Sequence, residues 1–343
     1  MMPWHSGAAA LPRFLAQAVS FPAQPSEPML PPTRLATVTL NGTLDRVIQV
    51  PDLVLGTIRN SADVLTLPGG KGLNVARTAL SLGSEVMTTG LVAGPCGQWI
   101  CALLESEGIP QRFVHLPAGE SRVSTIIVDP KSGQSTVIND LGPSVPGHMW
   151  PQIRRQLVHA IEGYPWAILA GASLPGLPPS VWGDLCSDLQ ARGQRACVDT
   201  RDEWLANALP ARPYVVKCNQ HEAAGLVGRA VDTPVQARDA ACRWIDLGIP
   251  FAIITLGRQG AVAAQHGQAW HITAPMVEAL YPIGSGDAML AGVVVGLDRG
   301  EPLPEAVRYG VALGAANTLL PGSGRCDMDA LPRLLRATTI QPL

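Results

Sequence analysis

Trp166-Ala167-Ile168-Leu169-Ala170, Ala196-Cys197-Val198-Asp199, Tyr214-Val215-Val216-Lys217 and Phe251-Ala252-Ile253-Ile254-Thr255-Leu256 are four short apolar runs within one stretch of the chain. Runs this short, rich in Val and Ile and each followed by a longer segment, read as buried strands alternating with helices. Repeated β–α units with apolar strands predict a mostly parallel sheet covered by helices on both faces. In open sheets of this kind ligands bind beyond the carboxyl ends of the strands, so the chemistry is sought in the loops there.

The same rhythm extends in both directions. Leu35–Leu40 and Arg46–Val50 read as strands, and Gly72–Leu82 places Leu73, Ala76 and Leu80 on one helical face, closed by Gly83. Val86–Val92 reads as a strand and Gln98–Glu107 as a helix ended by Gly108 and Pro110. Val123–Val128 and Ser135–Ile138 are strands joined by Pro130-Lys131-Ser132-Gly133, a hairpin signal. Two short strands should flank His266-Gly267, and long helices should cover Ser285–Gly296 and Leu303–Leu319. The polar strands around 46–66 and 112–138 break the rhythm and predict an antiparallel flap added to the sheet.

Residues 1–33 differ from the rest, with seven prolines and two charges, Arg13 and Glu27. Ala8–Phe21 is mildly apolar, but no basic segment precedes it and Arg13 interrupts it, unlike a signal peptide. The tail therefore reads as a flexible leader, with a translation start at Met29 as the alternative. The expected organisation is a Pro-rich tail over 1–33 and one domain over 34–343.

The 343 residues carry 25 Lys+Arg and 27 Asp+Glu, a formal charge of −2. Charged residues are 15% and apolar ones 47%, which excludes a disordered chain. The near-neutral balance points to no nucleic-acid partner and no anionic membrane surface. No run of about 18 apolar residues is present, so no membrane span is expected. Seven scattered cysteines without a C-x-x-C pair suggest neither a disulfide framework nor a zinc knuckle, but reduced thiols in a cytoplasmic protein. The seven histidines show no metal-ligand spacing, so no transition-metal site is expected.

Two runs carry chemistry. In Ile283-Gly284-Ser285-Gly286-Asp287-Ala288-Met289-Leu290-Ala291-Gly292, glycines just before a helix let backbone N–H groups converge on an anion, aided by the helix dipole. An Asp there would repel a phosphate unless it has a task, and taking a proton from an attacking hydroxyl is such a task. Taken alone, the run reads equally as an ordinary helix N-cap supplied by Ser285 or Asp287. In Pro68-Gly69-Gly70-Lys71-Gly72-Leu73-Asn74-Val75-Ala76-Arg77, glycines allow close backbone approach to a polar ligand, with Lys71 and Asn74 as donors. Its plainer reading is a tight loop–helix junction with Lys71 solvated. Neither run is a dinucleotide fingerprint or a Walker A, and Gly171-Ala172-Ser173-Leu174-Pro175 is not a nucleophile elbow.

Gly69–Arg77 followed by Gly90-Leu91-Val92-Ala93-Gly94, together with Gly284–Gly292, resemble the two signature regions of the PfkB (ribokinase-like) carbohydrate kinases. Further matches lie between them in order. Thr39–Asp45 resembles the opening strand and sugar-binding Asp of the phosphosugar branch, Asn139–Pro143 its Asn-x-x-Gly-Pro, and Gly171–Pro175 its Ser-Gly-Ser-Leu-Pro. Lys217–Glu222 resembles Lys-Pro-Asn-x-x-Glu, and Thr255–Gly260 resembles Ser-Leu-Gly-x-x-Gly. The resemblance spans about residues 35–335 and is nearest to the 1-phosphofructokinase and tagatose-6-phosphate kinase subgroup, in which Gly-Gly-Lys-Gly is typical.

The resemblance implies a three-layer α/β/α ribokinase-like core with a mostly parallel sheet, and a small β-sheet lid, drawn here from about 45–66 and 112–138, that serves as the contact of a homodimer. It also implies ATP and Mg²⁺. Asp287 becomes the general base, and the amides of Gly284, Ser285 and Gly286 the anion hole. Asp45, Gly69, Gly70 and Asn74 bind the sugar, while Arg122 and Lys71 grip its phosphate. Asn219 and Glu222 organise Mg²⁺ through water, and Lys217, Thr255, Gly257 and Gly260 line the nucleotide side. The implied activity is transfer of the γ-phosphoryl group of ATP to fructose 1-phosphate, fructose 6-phosphate or tagatose 6-phosphate. The alternatives are a kinase-like sensor of a sugar phosphate and a kinase of an unphosphorylated sugar. Tyr281-Pro282, Cys218, Gly42-Thr43 and Ser124 depart from the family pattern, the last two beside the sugar site.

Overall fold

A computed structural model describes residues 32–343 except 62, 132 and 133. The leader over 1–31, with its Met29 start, and the Ser132-Gly133 tip of the hairpin lie outside the described residues. The first half runs β1 (Arg34–Thr39), β2 (Thr43–Gln49), β3 (Val64–Gly69), α1 (Lys71–Ser81), β4 (Glu85–Val92), α2 (Gly94–Ser106), β5 (Val114–His115), β6 (Arg122–Val128), β7 (Ser135–Asn139) and α3 (Trp150–Ala160). Next come β8 (Trp166–Ala170), α4 (Val181–Ala191), β9 (Arg195–Asp199), α5 (Asp202–Ala208), β10 (Val215–Asn219), α6 (Gln220–Val227), α7 (Pro234–Asp246) and β11 (Phe251–Thr255). The chain closes with β12 (Ala261–Gln265), β13 (Gln268–Thr273), α8 (Ser285–Asp298), α9 (Leu303–Asn317), α10 (Leu331–Ala337) and β14 (Thr339–Pro342).

Ten strands form one sheet in the order β14-β13-β12-β11-β10-β9-β8-β1-β4-β5. It is parallel from β11 through β5 and antiparallel at the β12, β13 and β14 edge. Because successive side chains point to opposite faces, each apolar strand feeds two cores. Ala167 and Leu169 of β8 pack with Ile153 and Leu157 of α3 and Trp182 of α4. Trp166 and Ile168 belong to the opposite core, with Leu73 of α1, Ile100 of α2 and Leu290 and Val293 of α8. This is the predicted α/β/α layering.

The second sheet has the order β3-β2-β6-β7. Here the structure corrects the expectation of an antiparallel flap: β2 and β6 run parallel, Asp45 opposite Ser124, while the outer pairs are antiparallel. A parallel pair needs a long crossover, and residues between β2 and β6 supply one through α1, β4 and α2. The range 112–138 is also divided, since β5 joins the large sheet through Leu91–Val114 and only β6 and β7 join the small one. Helix α2 begins four residues earlier than expected, at Gly94, because Pro95 sits in its first turn, where a missing N–H costs nothing.

Candidate active site

The carboxyl ends of β10 and β11 converge with β2, β6, β7 and the starts of α1 and α8 on a cavity of about 410 Å³. Its wall includes Asp45, Gly70, Lys71, Asn74, Arg122, Lys217, Asn219, Glu222, Thr255, Gly284, Ser285, Gly286 and Asp287. Residues as far apart in the chain as Asp45 and Asp287 are thus brought together. Gly69, Gly257 and Gly260 are not on the wall. Gly69 lies directly behind Asp45, since a Cβ there would sit 2.1 Å from the Asp45 carboxyl. Gly257 and Gly260 belong to the turn after β11, where Gly260 packs under the Ile272 carbonyl of β13.

Helix α8 is capped by Gly284 at φ 86°, with no side-chain cap. Neither Ser285 nor Asp287 is the N-cap, so the plainer reading of this run fails. Any side chain at 284 would combine a disfavoured left-handed backbone with a Cβ 2.7 Å from that of Ser323. The helix start is therefore held against the 323 loop. First-turn amides of a helix lack the usual i−4 partner. Here the Ser285 amide makes a long 3.4 Å bond to the Pro282 carbonyl and the Asp287 amide a 3.0 Å bond to the Gly284 carbonyl. The Lys217 ammonium lies beside Gly286, 2.8 Å from where a Cβ would be. Backbone donors, helix dipole and a lysine therefore favour negative charge at one spot.

Asp287 is buried on the first turn of α8, and its Oδ2 accepts a 2.8 Å bond from Asn74 Nδ2 of α1. Burial, then the nearby Asp199 carboxylate, raise its pKa to about 6 against the opposing pull of Lys217 and Lys71. Asp45 is also pushed up to about 6, chiefly by burial, with Arg122 and Arg77 opposing. Burial lowers the Arg122 pKa from the ordinary arginine range, and its Nε donates to the Asn41 carbonyl at 3.3 Å.

Two features were not legible. Asp199, at the end of β9, is completely buried and accepts from both Lys71 Nζ and Lys217 Nζ at 2.7 Å. Although burial opposes ionisation, the two ammonium groups hold its pKa below the ordinary carboxylate value. Lys71 also reaches Glu222 at 3.3 Å, so it is anchored on carboxylates rather than standing free as a phosphate grip. The sequence signal was an acid ending an apolar strand at the carboxyl edge of the sheet, where ligand sites form. Arg77 is the other feature. It bonds Glu107, Asn74 Oδ1 and the carbonyls of Pro68 and Ser323, fixing α1 to the first glycine run and to the 323 loop that packs on Gly284.

Asn219 and Glu222 form a capping box on α6: Asn219 Oδ1 accepts from the Glu222 amide at 2.9 Å, and Glu222 Oε2 accepts from the Asn219 amide at 2.8 Å. Asn-x-x-Glu is itself a helix-start pattern, so the motif has a structural duty here as well. Ser124 donates to Asn139 Oδ1 at 2.7 Å, which ties β6 to β7 across the cavity rim.

A parallel α/β sheet with a glycine-capped helix start, a buried carboxylate and convergent cations defines an anion-handling site in a doubly wound protein. Comparison gives the family. The profile described as pfkB family carbohydrate kinase matches residues 42–330. The chain is 31% identical to a 1-phosphofructokinase of Xanthomonas campestris pv. campestris, over 80% of this chain and 88% of that protein. It is 26% identical to a tagatose-6-phosphate kinase of Staphylococcus epidermidis, over 88% and 97%. A crystal structure of phosphofructokinase-2 from Escherichia coli in complex with fructose-6-phosphate superposes with TM-score 0.80 and 28% identity, covering 89% and 98% of the two chains. The chain belongs to the pfkB family of carbohydrate kinases.

Proposed function

We propose that this protein is an ATP-dependent phosphosugar kinase acting on a ketohexose phosphate. The observation that carries the reading is the Asp287 carboxylate, buried at a glycine-capped helix start and sharing one cavity with Asp45, Arg122 and Lys217. In this reading a sugar hydroxyl oxygen attacks the γ-phosphorus of ATP, the bond from that phosphorus to the β–γ bridging oxygen breaks, and ADP leaves. Asp287 receives the hydroxyl proton. The amides at Gly284, Ser285 and Gly286 and the Lys217 ammonium stabilise charge on the transferring group. Asp45 and Asn74 orient the sugar, with Gly69 shaping the floor behind Asp45. Arg122 holds the sugar phosphate, as its forked donors suit phosphate oxygens. Lys71 is better cast as the partner of Asp199 and Glu222, adding charge from one side. Lys217 and Thr255 border the nucleotide side, while Gly257 and Gly260 shape the turn behind it.

Mg²⁺ would neutralise the nucleotide phosphates. Among the described residues no group of three or more His, Cys, Asp and Glu side chains is arranged as a metal cage. Glu222 and Asn219 already satisfy each other. That donor set fits a cation arriving with ATP and touched through water, since magnesium keeps several waters and takes one or two carboxylates beside substrate phosphates.

A coupled ADP-release assay over the three ketohexose phosphates and free fructose tests the reading. At least one phosphorylated sugar should be turned over well, and Arg122→Ala should raise its KM about 10- to 100-fold by removing a charge-assisted contact. Failure with every sugar phosphate would favour the sensor, and better use of free fructose would favour a kinase of unphosphorylated sugars.

The four-stranded sheet and its β2–β3 loop expose Leu55, Ile58, Val64, Val137 and Ile138, a large apolar surface for a solvated lid. We assign it to a homodimer contact through that lid. Sedimentation velocity at micromolar concentration should give a dimer, and a monomer would contradict the assignment. No described helix is long and apolar enough to cross a membrane. All seven cysteines are free thiols, which suits the reducing cytoplasm, and cell fractionation checks that placement.

A further inference from the structure

A second and larger cavity, about 650 Å³, lies away from the catalytic one, between the β5 edge of the large sheet and α3. Its floor is apolar, with Phe113, Leu116 and Ile153 buried and Met149 half-buried. Its rim is polar and cationic. Gln152, Gln156 and His159 share one face of α3 at i, i+4 and i+7 spacing, and Arg112 and His115 face them from the β5 segment. Among the described residues no Asp or Glu lines this cavity. His159 meets the Glu162 carboxylate at 3.3 Å, and Arg192 meets the same carboxylate at 3.5 Å.

Arg112 is exposed and fixed at its base, where its N–H donates to the Thr88 carbonyl at 2.8 Å and its carbonyl accepts from Thr89 Oγ1 at 2.6 Å. Its Nη1 makes a long 3.5 Å bond to the Ala160 carbonyl. A guanidinium has five N–H donors in a fixed fork, so most remain to meet an acceptor. The volume falls in the range of small-molecule sites, about 300–1,000 Å³, and exceeds what one ion needs. An apolar floor beneath a rim with one permanent cation, two imidazoles and no acid complements a flat apolar body bearing an anionic group.

We propose that this cavity is a binding site, separate from the catalytic one, for a small amphipathic anion: an aromatic or otherwise flat apolar molecule carrying a sulfonate, carboxylate or phosphate. The apolar body would rest on Phe113, Leu116 and Ile153, with the anion at Arg112 and His115.

Fluorescence titration of the full chain with anilinonaphthalene sulfonate, a two-ring monoanion, tests this without reference to kinase activity. The wild type should show saturable binding, and Arg112→Ala should weaken it about tenfold, as loss of a charge-assisted contact does. The double variant Gln152→Glu and Gln156→Glu, whose changes are on an exposed helix face and spare the core, should weaken it comparably by repulsion. Arg155→Ala removes an exposed arginine of the same helix that does not line the cavity, and should leave the affinity unchanged. Absence of saturable binding, equal affinity in all four proteins, or a loss in Arg155→Ala as large as in Arg112→Ala would overturn the proposal.

Discussion

Asp287→Asn should lower kcat about a hundred- to ten-thousandfold, the range for loss of a positioned general base. The amide keeps the shape of the carboxylate, and its carbonyl still accepts from Asn74, so α1 and α8 remain joined as in the 2.8 Å bond of the wild type. What disappears is a group able to take the hydroxyl proton. Because burial disfavours the charged form, the variant should be at least as stable at neutral pH as the wild type. A carboxylate with pKa near 6 in the free protein also predicts the wild-type pH profile, with kcat/KM falling as pH drops through about 6, where the base becomes protonated. Asp45, with a pKa in the same region, should steepen the fall in kcat/KM. In Asp287→Asn the acid limb of kcat/KM should shrink to the part due to Asp45. Full activity in that variant, with unchanged substrate binding, would remove Asp287 from its role.

Asp199→Asn should destabilise the fold by about 3–5 kcal/mol, the cost of breaking a buried ion pair by removing one partner. Its carboxylate faces two ammonium groups, and Lys217 is itself buried. An amide carries no charge, so the buried Lys217 loses its carboxylate, while Lys71 keeps only Glu222 at 3.3 Å. The expected reading is a lower urea midpoint at unchanged slope. Since the folded-state pKa is lowered, the stability Asp199 confers is present above the ordinary carboxylate range, about 3.9. It is lost only as pH falls through the lowered value, so this contribution by itself is flat from about pH 5 to 8, while the loss of Asp199 also relieves the upward push on Asp287 near pH 6. A midpoint equal to the wild type's would show that the two lysines do not depend on Asp199. Asp45 and Asp287 act in the opposite direction: their raised values favour the folded state below about pH 4, an advantage lost as pH rises through about 6.

Much of the architecture is readable in the chain because its strands are short and uniformly apolar. Trp166–Ala170 is a strand residue for residue, and Phe251, Ser285 and Leu303 begin the elements expected of them. Strand direction is another matter. Nothing local in Thr43–Gln49 or Arg122–Val128 says that the two run parallel; that follows from the crossover between them. Two-residue β5 and the closing β14 offer too little pattern to find. At the site, the glycine runs declare themselves because only glycine tolerates such backbones and approaches. Asp199 does not, since a lone acid at a strand end has many ordinary roles, and its meaning depends on lysines 128 and 18 positions away. Asn219 and Glu222 show the converse, for one pattern encodes a helix cap and also places both residues on the cavity wall.

Phosphorus NMR of the wild-type protein with ATP, magnesium and each ketohexose phosphate in turn tests the central claim most directly. With at least one of them, the γ-phosphorus resonance of ATP should be replaced by a second phosphate-ester resonance on the sugar, one for each ADP formed. ATP consumption that yields only inorganic phosphate, or no change with any of the three, would contradict it.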